Sequence, residues 1–252
     1  MDRLRVISFS AHDAASNMAL DEAIAKAVGA GASPPTLRLY GWDPPAVSIG
    51  YFQEVEGEVD MDFCEANGIG VVRRLTGGGA VLHTRGELTY SLAVSDRDPA
   101  VPQDVQGSYM KICAPFVSAL RELGAPACFR PINDIEVGGR KVSGSAQTRR
   151  FGAVLQHGTI LLDIDERLLC ALRAKMEKLR ERGITGHAQR VTTLRRELGR
   201  RVSHGELSRA VKRQFKEQFG CKLDAGRPTS GELCSAPSLA ERYRSVEWLF
   251  RR

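Results

Sequence analysis

Aromatic residues make up only 6% of this 252-residue chain, and no apolar run approaches the roughly 18–20 residues that cross a bilayer. The opening segment Met1-Asp2-Arg3-Leu4-Arg5-Val6 lacks the apolar stretch of a secretory signal. No membrane-spanning helix is therefore expected, and a cytoplasmic location is. Paired cysteines are missing too. Cys64, Cys113, Cys128, Cys170, Cys221 and Cys234 are widely scattered with no C-x-x-C unit, which excludes a zinc knuckle and a disulfide frame. The expectation is six free thiols, mostly packed as small hydrophobes. Acidic residues are sparse between Arg173 and Lys216, where Glu177, Glu181, Glu197 and Glu206 face a long run of arginines and lysines, and the whole chain carries +6. That stretch is either a solvated helical face or a surface for an acidic protein partner. Nucleic acid is not expected, because no aromatic residues alternate with the basic ones to stack on bases.

What is present suffices for a sizeable core: 42% of residues are hydrophobic. The pattern predicts an α+β fold, a mixed sheet with packed helices. We read residues 1–252 as one domain, with an α/β core over 1–165 and a mainly helical part over 166–252. An Ala-rich helix is predicted over 14–28 and strands over 36–40 and 46–51. Helices are predicted over 60–67 and from a Ser108 cap to Leu123. Strands follow at 134–137, from Lys141 and at 154–163, with a turn at Gly138-Gly139. Helices over 165–182, 203–219 and about 238–244 complete the reading.

The most informative stretch is Arg73-Arg74-Leu75-Thr76-Gly77-Gly78-Gly79-Ala80-Val81-Leu82-His83. Three successive glycines contribute nothing to packing and lose the most backbone entropy on folding. Between apolar runs at 69–72 and 88–94, so bare a turn lets a ligand approach backbone N–H groups, as an anion cradle does. Arg73 and Arg74 are expected to add positive charge. The spacing fits neither a P-loop nor a dinucleotide fingerprint. Taken alone, it is as compatible with a hairpin or bulge as with a ligand loop.

A second cluster runs from Asn133-Asp134-Ile135 through Gly139-Arg140-Lys141-Val142-Ser143-Gly144-Ser145-Ala146-Gln147 to His157-Gly158-Thr159. A lysine follows a glycine turn, with small residues nearby that leave it room to reach a ligand. The third segment places polar groups in a strand where apolar ones would suffice.

These segments together closely resemble the lipoate–protein ligase and octanoyltransferase superfamily, which shares its fold with biotin–protein ligase catalytic domains. The likeness includes Asn17-Met18-Ala19-Leu20-Asp21-Glu22, Pro45-Ala46-Val47-Ser48-Ile49-Gly50 and Trp248, and spans about residues 5–250. The resemblance implies transfer of a lipoyl or octanoyl group to a lysine of a lipoyl carrier domain. It implies that Arg74, Thr76, Gly77, Gly78 and Gly79 cradle phosphate and acyl end, and that Asn133 and Asp134 hold ATP, with Asp134 contacting Mg²⁺. Lys141 would stabilise developing charge. His83, Ser143, Gly144, His157, Gly158 and Thr159 would line the pocket. The bland alternatives are hydrogen-bonded strand histidines and an Asp134 that merely starts a turn.

Two chemistries fit the resemblance. A ligase joins lipoate to ATP before transfer. Classical ligases carry an accessory domain that this chain does not extend into, so a shorter architecture or a separate accessory subunit is implied. A transferase instead takes octanoyl from a carrier thioester through a cysteine and needs no ATP. Cys128, thirteen residues before Lys141, is the candidate nucleophile; its bland alternative is a small buried residue. Gly79 and the Asn133-Asp134 pair favour the ligase, which is the expectation, with octanoyltransferase as the alternative. A non-catalytic carrier-binding protein and a biotin ligase fit the glycine loop less well.

Overall fold

Strand alternation and helix-ending glycines build two sheets of unequal size in the computed structural model, which describes residues 1–173 and 190–251. In chain order the strands are β1 (Arg3–His12), β2 (Thr36–Trp42), β3 (Ala46–Ile49), β4 (Gly70–Arg73), β5 (Val81–His83) and β6 (Glu87–Ser95). Then come β7 (Ala127–Arg130), β8 (Asp134–Val137), β9 (Arg140–Arg150), β10 (Ala153–Leu161) and β11 (Lys222–Gly226). The helices are α1 (Ala14–Gly29), α2 (Val55–Glu58), α3 (Met61–Ala66), α4 (Val105–Glu122), α5 (Leu194–Leu198), α6 (His204–Phe219), α7 (Ser230–Arg244) and α8 (Val246–Leu249). The larger sheet has eight strands in the order β11-β1-β2-β6-β10-β9-β8-β7, and the smaller has three, β4-β3-β5. This is a mixed sheet with packed helices, α+β as expected.

Each element follows from local chemistry. The Asp13 carboxylate accepts from the Ser16 amide and starts α1. The β8–β9 hairpin turns on Gly138 and Gly139 at φ +58° and +74°, where a side chain would be strained. On one face of the large sheet, Tyr90 stacks on Phe116 of α4 at 3.8 Å, and Phe116 meets Phe215 of α6 edge-on. On the other face lies α1, whose Met18, Ala19 and Ala23 share a core cluster with Leu239, Ala240 and Tyr243 of α7.

Several elements depart from the sequence reading. Helix α4 is capped by Asp104, which accepts from the Gly107 amide. The Ser108 hydroxyl instead lies 2.8 Å from Val105 O and 3.0 Å from Gln147 Oε1, with its single hydrogen to donate to one of them. Asp104 stands one turn earlier and supplies a carboxylate to the positive end of the helix. The predicted helix over 165–182 begins as a 3-10 turn at Glu166–Ala171, and its part beyond 173 lies outside the described residues. Strands β1, β5, β7 and β11 were not predicted. β11 pairs in parallel with β1 at the edge of the large sheet, so the part after 165 contributes to the sheet as well as to the helices. Within the basic stretch, Arg195, Arg196, Arg200 and Arg213 pair with Asp163, Glu166, Glu206 and Glu122, which makes much of it an ion-paired surface. Arg180 and Arg182 lie outside the described residues. Cys64, Cys113 and Cys221 are buried as expected, whereas Cys128, Cys170 and Cys234 are exposed. No helix among the described residues is long and apolar enough to cross a membrane.

Candidate active site

A cavity of about 240 Å³ lies between the α1 face of the large sheet and the small sheet. Its floor is set by strand register. Gly144, Thr159, Thr89 and Tyr40 form one cross-strand row over β9, β10, β6 and β2, and Ala146, His157, Ser91 and Arg38 form the next. Because side chains alternate, the polar members of these rows face the cavity while Tyr90 and Leu92 face the core.

The glycine loop closes the cavity from above. It joins β4 to β5, which flank β3, so it must cross over the end of β3 rather than turn as a hairpin. Gly50 at that crossing is required, since a Cβ there would lie 2.0 Å from Gly78 O. Gly78 is required by its φ of +93°. At Gly77 and Gly79 a Cβ would meet nothing within 4 Å, so neither packing nor backbone strain explains these two glycines. Among the described residues, the amides of Gly77, Gly78 and Gly79 donate to no protein acceptor. Free amides on bare backbone are able to bind an anion.

The two arginines serve the loop differently from the expectation. Arg74 spends all five donors on the protein: Nε on Thr76 Oγ1, Nη1 on Ser48 O and Oγ, and Nη2 on Gly77 O and Gly79 O. It fixes the loop and has no N–H left for a ligand. Burial lowers it to about 10, so it stays protonated at neutral pH. None of those partners is a carboxylate. Arg73 points to the outer side. Its guanidinium donates to the carbonyls of Gly50, Tyr51, Gln53, Trp248 and Leu249, while Trp248 Nε1 donates to Arg73 O. Arg73 thus ties the loop base to the C-terminal helix and supplies no charge to the ligand.

Two histidines are embedded in the polar floor. His83 stacks on Trp42 at 3.9 Å, with Nδ1 2.7 Å from Glu87 Oε1 and Nε2 2.7 Å from Ser48 Oγ. His157 Nε2 lies 2.7 Å from Thr76 Oγ1 and Nδ1 lies 3.5 Å from Asp21 Oδ2. Burial pushes His157 below its ordinary value of 6.5 against the opposing pull of Asp21. Burial alone would raise Asp21, but the Arg38 guanidinium, His157 and Ser91 hold it below 3.8.

Lys141 enters from β9, its Nζ 2.6 Å from Asp134 Oδ1. Gly144 makes this possible, since a Cβ there would lie 2.6 Å from Lys141 Cε and Nζ. Lys141 also pairs through its backbone with Arg190 and Thr192, which brings Val191 to the cavity wall. Asp134, expected to contact Mg²⁺, is engaged by this ammonium. Among the described residues no cluster of three or more His, Cys, Asp or Glu is arranged to hold a metal. Cys128 lies outside the cavity lining, yet its register is informative. Cys128 is opposite Glu136, and Glu136 is opposite Lys141 across a bulge at Val142, so the three share one row on the cavity face. Two strand spacings separate Cys128 from Lys141, about 10 Å between Cα atoms.

The fold therefore brings Arg74, Gly78, Gly79, His83, Asn133, Lys141, Ser143, Gly144, His157, Gly158 and Thr159 to one cavity. Thr76 and Gly77 sit just behind its lining, Asp134 beside Lys141, and Cys128 on the rim side of the same face. The sequence reading counted Asp21 and Ser48 in the family likeness without giving them a role, and missed Arg38, Trp42, Glu87 and Thr89. One signal was available: Arg38 and Thr89 are polar residues inside otherwise apolar strands.

Comparison with known proteins agrees with this geometry. Octanoyltransferase LipM of Kyrpidia tusciae is 41% identical, with 100% of both chains covered. That of Symbiobacterium thermophilum is 44% identical over 94% of each. A bipartite lipoate protein ligase from Thermoplasma acidophilum, solved with its E2 lipoyl domain, superposes with TM-score 0.86 at 31% identity, covering 99% of this chain and 96% of that one. Lipoate-protein ligase A bound with ATP gives 0.84 at 30% identity, with 99% of each covered. The family model for the lipoyl protein ligase A/B catalytic domain matches residues 13–216, and the chain belongs to that family.

Proposed function

We propose that this protein is an octanoyltransferase that moves an acyl group from a carrier thioester to a lysine of a lipoyl carrier domain through Cys128. The observation that carries the proposal is the cross-strand row of Cys128, Glu136 and Lys141, a thiol and an ammonium on one face beside an anion cradle. The 36–44% identity to octanoyltransferases named LipM supports it, against 30–31% for the similar ligases.

The Cys128 thiolate attacks the thioester carbonyl, and the carrier leaves as its thiol, taking the proton released from Cys128. The neutral ε-amine of the target lysine then attacks the Cys128 thioester. An amide forms, the C–S bond breaks, and the thiol recovers a proton from the amine. In both halves negative charge develops on the carbonyl oxygen, which the Lys141 ammonium and the free loop amides are suited to stabilise. No nucleotide takes part. The acyl chain would lie between the two sheets. Charge complementarity favours an acidic carrier domain.

A second reading, ATP-dependent lipoate ligation, is supported by the free amides at Gly77–Gly79, which suit a phosphate, and by the likeness to an ATP-bound ligase. In that reading Asn133 and Asp134 would face the nucleotide, with Arg74 only shaping the loop, Mg²⁺ would be needed, and an accessory subunit becomes relevant.

The test is intact-mass analysis of an apo lipoyl domain incubated with either octanoyl carrier protein or octanoate, ATP and Mg²⁺. Octanoylation from the thioester alone, abolished in Cys128→Ser and in Lys141→Ala, is the expected result. Modification only with ATP, undiminished in Cys128→Ser, refutes the transferase.

A further inference from the structure

The buried floor of the cavity contains a chain of four polar groups that the transfer chemistry does not itself use. Asp21 on α1 ion-pairs with Arg38 at 2.8 Å and accepts from Tyr40 Oη at 2.8 Å and Ser91 Oγ at 2.7 Å. Its Oδ2 lies 3.5 Å from His157 Nδ1, a buried nitrogen that makes no hydrogen bond among the described residues, so Asp21 is the acceptor nearest to it. His157 Nε2 meets Thr76 Oγ1, and Thr76 Oγ1 also accepts from Arg74 Nε at 3.1 Å. Arg74 in turn holds the carbonyls of Gly77 and Gly79. A continuous path therefore runs from α1 through β10 to the anion cradle.

Satisfying these atoms fixes the proton positions. A nitrogen lone pair turned towards a carboxylate would be repelled, so Nδ1 carries hydrogen. A buried imidazole is neutral, which leaves Nε2 as an acceptor. The Thr76 hydroxyl, already accepting from Arg74, must then donate to Nε2. We infer that Asp21 and His157 are positioning residues: Asp21 selects the Nδ1–H tautomer of His157, which orients the Thr76 hydroxyl and so holds Arg74 and the glycine loop in register with the reacting carbonyl. Thr76 is completely buried and does not line the cavity, so it is no nucleophile. The groups facing His157 are Asp21 from α1, Ser91 from β6, His83 from β5, and Thr76 and Arg74 from the loop. Among them Asp21 is the only anion, so it alone can set the tautomer.

This inference rests on the proposed transfer reaction, and its test is separable from that reaction. Wild-type transfer from octanoyl carrier protein, measured first, decides the reaction itself. The tautomer is read from the imidazole ¹⁵N shifts of His157, free of any turnover assay. The expected result is a protonated Nδ1 and an unprotonated Nε2 at neutral pH; a protonated Nε2 overturns the inference. Thr76→Val keeps the side-chain shape and removes the hydroxyl, while Thr76→Ser keeps the hydroxyl and loses a methyl. Thr76→Val is expected to lower kcat by about tenfold to a hundredfold with KM within about twofold, and Thr76→Ser to exceed it by at least about tenfold. Equal loss in both variants would indicate packing alone and overturn the inference. Should Thr76→Val fold poorly, Asp21→Asn provides the second measurement. Transfer of the ring proton to Nε2 in that variant supports the tautomer-setting role, and an unchanged Nδ1–H refutes it.

Discussion

Gly144→Ala tests the site with little effect on the fold. The new Cβ would stand 2.6 Å from Lys141 Cε and Nζ, whereas ordinary carbon contacts begin near about 3.5 Å. The end of the lysine must retreat by about 1 Å, and Asp134 Oδ1, 3.5 Å from the same Cβ, does not block the methyl itself. The moving group is the tip of a flexible side chain, so the steric cost is small. The Lys141–Asp134 pair is partly exposed on both sides, and its weakening costs at most about 1 kcal/mol. Gly144 is not among the positive-φ glycines, so alanine also restricts the unfolded chain, which offsets about 0.4–1 kcal/mol. These effects nearly cancel, and Tm should shift by only a few degrees. Catalysis has no such compensation. A 1 Å displacement of the group proposed to meet the developing oxyanion costs on the order of a hundredfold in kcat/KM. The assay pairs thermal unfolding with octanoyl transfer to an apo lipoyl domain. Full activity with the native Tm would refute the role given to Lys141; a collapse in Tm would refute the account of where the methyl goes.

Two further outcomes follow from the same geometry. Gly79→Ala meets nothing within 4 Å and should leave stability within about 0.5 kcal/mol of the parent while impairing transfer; unimpaired transfer would mean that no ligand approaches that backbone. Gly78→Ala, at φ +93° and 2.9 Å from Arg74 Nη2, should instead destabilise by about 1–3 kcal/mol in urea unfolding. Acidification should reduce stability in two stages. His157 is held below 6.5 chiefly by burial, so as pH falls past that value the unfolded chain gains a proton that the native one refuses. Asp21, held below 3.8, contributes stability above that value which disappears only as pH falls through its native value. Urea unfolding of His157→Gln should lack the first stage; an unchanged pH dependence would refute the assignment.

Much of this could be read along the chain because it is local. The glycine run, the Gly138-Gly139 turn and the helices α1 and α6 depend on backbone freedom and on side-chain spacing within one element. The family resemblance added the association of Lys141 with the glycine loop. It favoured the ligase, on Gly79 and the Asn133-Asp134 pair and against Cys128, whereas relatives 36–44% identical over nearly the whole chain are octanoyltransferases.

Tertiary structure decided what depends on pairing between distant strands. Arg73 and Arg74 are adjacent in sequence and lie in consecutive positions at the end of a strand, so they point to opposite sides, one towards Trp248 and the other under the loop. Register across β7, β8 and β9, with its bulge at Val142, set whether Cys128 shares a face with Lys141; one residue of slip would have put it in the core. The Asp21–His157–Thr76 path joins three segments far apart in the chain. Its burial made the proton arrangement definite, since only groups removed from water must satisfy one another.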